Sequence, residues 1–504
     1  MVGARMEVLE PALASEATTI DRARPLVGVS LRARPMALVP TTWSTEGARG
    51  FLLAGAVLAL GYGIQVGNGS LKGDAIVWLF VSLLALGFAV ALPARAKMPM
   101  ALPNPLLAVL FALAVAFQVG LLLHDPLGIY LRPVDLLPSV FLLFALSAFA
   151  VGAVIGPARL QSWCTVGFLG AAALLGAWLL DAAPQPFNDV FVWHNEAITA
   201  LLAGHNPYAM TMPDIYGSDF FYDPALRVGG RVLVGYQYPP LSLLLATGAR
   251  EVASDYRFAL LAGTVGAAGF MAYGRKGAAA VGAAALFLTT PRWLFVLEQG
   301  WTEPLLVVFL AATVALALRR SKWLFVPLGL FWATKQYAVL SAPLVLLLFP
   351  RPLDWRALGR LAGKAALVAA AVTLPFMVLD AHAFFDDLVM FQVRQPFRPD
   401  SLSLLAWWTQ QGGARPPTWA GFLAAVPALA LALWRLPRSP AAYATAVAFT
   451  SCVFFAFSKQ AFANYYFFIV GALCVAVAAT DFGPAEASDA EPTNLEGAGL
   501  PTDS

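Results

Sequence analysis

Charge is scarce in this chain. Only 12% of its 504 residues are Asp, Glu, Lys or Arg, about half the share found in soluble domains. Hydrophobic residues make up 60% and the mean hydropathy is +0.72. A soluble fold would have nowhere to bury that much apolar surface, whereas a bilayer accepts it against lipid. Cysteine is nearly absent. Cys164, Cys452 and Cys474 each lie in apolar runs, their number is odd and no C-x-x-C occurs, so neither a disulfide framework nor a zinc site is indicated. The four histidines, His124, His194, His205 and His382, lack the H-E-x-x-H spacing and read as isolated polar or interfacial residues. There is no D-x-D and no cluster of carboxylates suited to Mg²⁺ or Mn²⁺. A nucleotide-sugar donor with a metal-bound diphosphate is therefore disfavoured, and no cofactor or divalent metal is expected. No Walker A sequence is present, so ATP-driven transport is not supported. A net charge of +3, without basic clusters interleaved with aromatics, gives no reason to expect a nucleic-acid partner.

What the chain does have is a series of apolar runs. Residues 1–50 contain none, and their arginines, acids and prolines read as a disordered cytoplasmic arm. The first run begins near Phe51, too far in for an ordinary cleaved signal peptide. Runs follow near 51–67, 76–94, 105–123, 133–155 and 163–181. Each approaches the ~20 residues that a helix needs to cross a bilayer. Further runs lie near 239–253, 257–274, 277–297, 303–318, 322–349, 361–379, 417–434, 441–457 and 462–480. The expectation is an all-α polytopic membrane protein of about 12–14 spans.

Arg32, Arg34 and Arg49 precede the first run, Arg95 and Lys97 follow the second, and Arg159 follows the fourth. By the positive-inside rule the amino terminus is cytoplasmic. The fifth run then delivers residues 182–237 to the outside. Later charges conflict with the same rule, because Arg275, Lys276, Arg319 and Arg320 cannot all be cytoplasmic if every run spans once. Some runs are therefore expected to be half-membrane or re-entrant, and 322–349 reads as two short spans. Residues 51–160 form a four-span amino-terminal segment, and 161–480 a membrane module with outer loops 182–237 and 380–416. The tail 481–504 is acidic and reads as disordered.

The loop 182–237 is the most informative stretch. Asn188 or Asp189 suits a helix N-cap and Gly204 a C-terminal stop. Between them Val190, Trp193, Ala197 and Leu201 fall on one stripe, widened by Phe191, Ile198 and Leu202. This predicts an amphipathic helix at the membrane interface. Asp189 heads that helix, where capping and dipole effects alone would favour an Asp. The H-N-P-Y turn (205–208) and the Y-P-P-L entry to the next run (238–241) follow.

Together these pieces resemble the GT-C superfamily of membrane glycosyltransferases. Within it they look like glycosyltransferase family 87, the polyprenyl-phosphate-mannose-dependent mannosyltransferases and their bacterial relatives. The carrying segments are D-V-F-V-W (189–193), with Trp193 where Tyr is usual, the A-L-L-A-G-H-N-P-Y turn and Y-P-P-L. E-Q-G-W-T-E-P (298–304), A-T-K-Q-Y (333–337) and S-K-Q-A-F-A-N-Y-Y (458–466) also look like segments of that family. The resemblance covers roughly 163–480. It departs from the family in placing the key Asp after the fifth run rather than the first.

The resemblance implies a mannosyltransferase-like enzyme of the cell membrane, acting at its extracytoplasmic face. It would move a sugar, with inversion, from a polyprenyl-phosphate donor to the hydroxyl of a glycolipid or glycan acceptor. Asp189 becomes the general base, with Glu196 as second choice. Lys335, Lys459, Arg394 and Arg398 are candidates for the donor phosphate, since charges at membrane depth are costly, although each also reads as a snorkelling cation. His205, Asn206, Tyr208, Tyr238, Gln336, Asn464 and Tyr465 are further donor or substrate contacts, as are Glu303 and its neighbour Glu298. Aromatic anchoring explains the tyrosines equally well. The competing readings are a secondary transporter or lipid flippase, which would bind near the midplane, and a non-catalytic scaffold.

Overall fold

The computed structural model describes residues 43–93, 97–98, 104–124, 127–415 and 417–482. Arg32, Arg34, Arg95 and nearly all of the acidic tail lie outside the described residues. The chain is mostly helical. The first five helices are α1 (Thr45–Gly67), α2 (Ala75–Ala91), α3 (Asn104–His124), α4 (Leu137–Ile155) and α5 (Ala158–Ala182). The loop helix α6 (Asp189–Leu202) is followed by α7 (Pro240–Ala253), α8 (Arg257–Gly274), α9 (Ala278–Thr289), α10 (Trp293–Glu298) and α11 (Glu303–Leu318). Helix α12 (Phe325–Trp332) breaks at Lys335 into a 3₁₀ segment, Gln336–Leu348, with Pro343 inside it. The rest comprises α13 (Trp355–Leu379), α14 (Ala381–Phe385), a π-turn (Asp386–Met390), α15 (Phe391–Arg394), α16 (Leu404–Gln410), α17 (Ala420–Arg435), α18 (Pro440–Ala456) and α19 (Ala463–Ala479). Two short strands, β1 (Trp43–Ser44) and β2 (Lys97–Met98), pair antiparallel. Three more, β3 (Met212–Pro213), β4 (Arg227–Val228) and β5 (Arg231–Val232), form a small sheet in the order β3-β5-β4.

Among the described residues α1, α3, α4, α5 and α13 are long and apolar enough to cross a membrane, and shorter apolar helices pack beside them. Lipid tails are as apolar as Leu, so such helices associate by close packing rather than by escape from water. Small residues permit it here. Gly263 of α8 faces the Pro304 backbone of α11, and Gly471 of α19 sits against Val307. Helix α19 is buried over nearly its whole length and packs on α1, α9, α11 and α18. The amino-terminal helices are thus built into the bundle that carries the loop 182–237.

Three findings revise the sequence-based expectations. First, α1 begins at Thr45 rather than Phe51. The last six residues of the expected arm are helical, and the Arg49 side chain is buried, donating to Ala89 O (2.8 Å) and Leu92 O (3.1 Å).

Second, the run 239–253 does not cross the bundle. Helix α7 has 14 residues, about 21 Å at 1.5 Å each, which is less than the ~30 Å hydrocarbon core. Its start lies beside the end of loop 182–237. Its end leads into Arg257, which donates to Glu298 O (3.0 Å) and Leu180 O (3.4 Å) at the same end of the bundle. Arg250 of α7 donates to Asn195 O (3.1 Å) and the Thr199 hydroxyl (2.9 Å), so α7 lies along α6.

Third, removing that crossing dissolves the charge conflict. Arg319 donates to Tyr273 O (2.5 Å), and Arg275 reaches Ala479 O and pairs with Asp481. Arg275 and Arg319, with their chain neighbours Lys276 and Arg320, therefore lie at one end, opposite the loop.

A cysteine scan checks this path. Val228→Cys in the loop and Val252→Cys at the end of α7, at positions 59% and 89% exposed, should react with an impermeant thiol reagent from the same side. Trp323→Cys should react only from the other. Labelling of Val252→Cys together with Trp323→Cys would mean that α7 crosses.

Candidate functional site

The start of α6 separates two roles that the sequence left merged. Asn188 is extended (φ −146°, ψ 136°) and its side-chain oxygen accepts from the Val190 N–H (2.8 Å). The cap is therefore Asn188, and Asp189 is the first helical residue. Asp189 Oδ1 also meets the Val190 N–H (2.8 Å), while Oδ2 accepts from the Tyr222 hydroxyl (3.0 Å). The Tyr216 hydroxyl stands 3.5 Å from Oδ1 and accepts from the Asp189 N–H (3.2 Å). Capping does not account for Asp189. Its carboxylate is gripped by two phenols and opens on a cavity. Burial raises its pKa above the ordinary carboxylate value, while Tyr222, the Val190 N–H and the charge of Arg398 hold back part of the rise.

The phenols are placed by the rest of the loop. Strands β4 and β5 turn at Gly229 and Gly230, both at positive φ (59° and 76°), the backbone a two-residue hairpin turn needs. Arg227 binds Asp214 (2.7 Å) and also pairs with Asp219. Trp193 of α6 stacks on Tyr222 (5.4 Å between rings) and donates from its indole to Pro213 O (3.0 Å). Beneath it His194 is fully buried, with Nδ1 against Val190 O (2.9 Å) and Nε2 against the Tyr236 hydroxyl (2.8 Å). Burial pushes His194 down to about 3, so it is neutral at physiological pH. It belongs to the buried core of the loop rather than to the interface.

The cavity in front of Asp189 has a volume of about 760 Å³. Two cations also line it. Arg398 forms a two-point pair with Asp400 (2.9 and 2.7 Å) and lies over the rings of Phe220, Phe221 and Phe462. Lys459 donates to Val393 O (2.9 Å) and Gln395 O (2.7 Å). Among the described residues no carboxylate forms an ion pair with it. Burial, reinforced by Arg415, lowers Lys459 to about 8. Part of the wall is apolar. Val339, Val393, Trp419 and Phe422 line it and are also more than half exposed on the outer face of the bundle. The one cavity therefore combines a carboxylate, two cations and an apolar wall that reaches the outer face of the bundle.

Lys335 has a different role from Lys459. Its Nζ is 2.9 Å from Glu303 Oε1 and 4.0 Å from the centre of the Tyr238 ring, and both charged side chains are buried. The same Glu303 oxygen accepts from the Tyr337 hydroxyl (3.2 Å) and from Asn464 (3.0 Å). Lys335 and Tyr238 line the floor of the cavity, and Glu303, outside its wall, holds Lys335 in place.

Of the residues singled out in the sequence, Asp189, Tyr238, Lys335, Gln336, Arg398, Lys459, Asn464 and Tyr465 line this one cavity. The others lie away from its wall. Glu196, two turns along α6, is exposed, as are His205 and Arg394. Asn206 caps its own turn by accepting from the Tyr208 N–H (3.1 Å). Tyr208 is buried, donating to Tyr238 O (2.8 Å) and packed on Phe376 and Phe384. Glu298 carries structure, its two oxygens accepting from the Ile129 and Tyr130 N–H groups (2.9 and 2.7 Å).

The residues missed were Tyr216 and Tyr222, in the aromatic run Y-G-S-D-F-F-Y inside an otherwise polar loop, and Asp387. One Asp387 oxygen accepts from the Gly235 N–H (2.9 Å), and the other is buried without a partner. No protein-family model, no curated protein and no solved structure matches the chain.

Two measurements test these environments. Burial first, then the charges of Asp386 and Asp380, raise Asp387 to about 8 despite the Gly235 bond. A carboxyl raised above its unfolded value of roughly 3.9 favours the fold while protonated, and that contribution is lost as pH rises towards 8. Asp387→Asn should therefore flatten the decline in thermal stability between pH 5 and 8, and an unchanged slope would contradict the assignment. Lys335→Ala strands Glu303 as a buried unpaired charge and should cost about 3–5 kcal/mol of stability. A shift below about 1 kcal/mol would show that the pair is solvated.

Proposed function

We propose that this protein is an enzyme of the membrane that transfers a sugar from a polyprenyl-phosphate donor to a hydroxyl of a glycolipid or glycan acceptor. The observation that carries the reading is the single cavity joining Asp189, Lys459 and an apolar mouth on the outer face of the bundle. A lipid-linked donor has a part to match each of these: a sugar, a phosphate and an isoprenoid chain. The chain enters between Val339, Val393, Trp419 and Phe422, the phosphate rests on Lys459 with Arg398 nearby, and the anomeric carbon faces Asp189.

In the reaction Asp189 takes the proton of the acceptor hydroxyl as its oxygen bonds to the anomeric carbon. The bond from that carbon to the phosphate oxygen breaks on the opposite face, and the electron pair leaves with polyprenyl phosphate. Lys459 stabilises the charge that develops there. One displacement inverts the anomeric configuration. The raised pKa of Asp189 makes its carboxylate a stronger base towards the acceptor hydroxyl, and the proton it takes passes to solvent before the next turnover. No residue is assigned to a metal. The positive-inside rule puts the end bearing Arg275, Lys276, Arg319 and Arg320 in the cytoplasm, which leaves the site on the extracytoplasmic face of the cell membrane. The likeness to GT-C enzymes of family 87 supports mannose as the sugar.

One feature favours transport instead. The break between α12 and the 3₁₀ segment, with the buried Lys335–Glu303 pair beside it, is the kind of interruption that lines a translocation path. Proteoliposomes that move a lipid-linked sugar across the bilayer without transferring it would favour that reading.

Membranes containing Asp189→Asn or Asp189→Ala protein at normal abundance should lose at least about 100-fold of the transfer from labelled polyprenyl-phosphate sugar. Full activity would remove Asp189 as the base. The rate should fall on the acid side as Asp189 protonates and on the alkaline side near pH 8 as Lys459 loses its charge. Tyr222→Phe removes a bond that favours the charged carboxylate, so the acid limb should move to higher pH. Lys459→Arg, charged throughout, should extend the alkaline limb, and an unmoved limb would separate Lys459 from the phosphate.

A further inference from the structure

The amino-terminal helices reach the cavity at two turns. Between α1 and α2, Asn68 and Gly69 have positive φ (52° and 74°). Gly69 lies so close to the Ala463 backbone at the start of α19 that any Cβ would overlap it. Leu71 N–H donates to Asp400 O (2.8 Å), and Ser70 bridges to Ser401. The turn is thereby fixed to the segments that carry Arg398 and Asn464. Between α3 and α4 the Glu298 carboxylate holds the backbone of Ile129 and Tyr130. Asn68, Ser70 and Tyr130 all line the cavity.

Asn68 has no structural need of its side chain. Its backbone conformation is one that glycine adopts at lower cost. Its carboxamide oxygen is shielded from solvent and accepts no hydrogen bond, which is unfavourable for a buried acceptor. The last torsion of Asn is broad and roughly two-fold, so rotation about it can turn either the oxygen or the amide N–H group to the cavity. A side chain kept at such a position, against the wall of a site, is accounted for by a ligand.

We infer that the α1–α2 turn is a hydroxyl-recognition subsite, in which the Asn68 carboxamide bonds a hydroxyl of a sugar ring with Ser70 beside it. This rests on the transferase reading above and gives the amino-terminal helices a part in the site. The ring belongs either to the donor sugar or to the acceptor, which offer the same polyol chemistry.

Asn68→Gly is the informative variant, because it keeps the turn and deletes only the carboxamide. With polyprenyl-phosphate mannose as donor and methyl α-mannopyranoside as acceptor, it should raise one KM about tenfold. Thermal stability and kcat should stay near those of the wild type. A raised donor KM assigns the subsite to the donor sugar, and a raised acceptor KM assigns it to the acceptor. No change in either KM, or a loss of kcat together with stability, overturns the inference. Absence of transfer by the wild type would be a failure of the transferase reading, separable by a binding titration. Trp301 and Trp419 line the cavity, so methyl α-mannopyranoside should produce a saturable fluorescence change that Asn68→Gly weakens about tenfold. No saturable change in the wild type, or equal changes in both proteins, overturns the subsite.

Discussion

A charge inside an apolar bundle must be neutralised where it stands, and the Lys335–Glu303 pair is where this chain does so. Glu303 opens α11, Lys335 occupies the break between α12 and the 3₁₀ segment, and Asn464 opens α19. One Glu303 oxygen accepts from Lys335, Asn464 and Tyr337. An interrupted helix leaves backbone groups unsatisfied, which is tolerable only where protein or a water-filled cavity surrounds them. The pair therefore has two consequences. It locks three elements together, and it fixes the interruption beneath a cavity rather than against lipid. Tyr238 packs directly on Lys335, and Gln336 follows Lys335 in the chain.

A second set of contacts builds the roof. Asn188 relieves Asp189 of capping, Tyr216 and Tyr222 hold its carboxylate, and the β3-β5-β4 hairpin holds the tyrosines. Arg257, fully buried, ties the ends of α5 and α10 to the start of α8. Glu298 then reaches across to the α3–α4 turn. Arg257 and Glu298 thus fasten the end of the bundle that carries the cavity. The apolar flank near Trp419 is left open.

Much of this was legible in the sequence, for identifiable reasons. Hydropathy revealed the helices, because apolar length is what a membrane demands. The N-D pair before a 3.6-residue stripe located α6, and the breaks at A-T-K-Q-Y and S-K-Q-A-F-A-N located Lys335 and Lys459. The failures were equally physical. Helix α7 is apolar enough to pass for a span, and only its partners on α6 reveal that it stays at one end. Lys335 and Lys459 looked alike as isolated membrane charges, but Lys335 is held in an ion pair and Lys459 is not. Tyr216 and Tyr222 lie about 30 residues from the Asp they hold. Asn68 is remote in the chain from everything it faces, so no local pattern marked it.

The central claim is that one cavity holds a lipid phosphate and a base on opposite sides of a sugar. Its most direct test is the stereochemistry of a single turnover. Purified protein in nanodiscs, given a polyprenyl-phosphate sugar labelled at the anomeric carbon and a defined acceptor, should release polyprenyl phosphate. It should yield a glycoside whose anomeric configuration, read by NMR, is inverted relative to the donor. A retained configuration, or intact donor after prolonged incubation, would contradict the account.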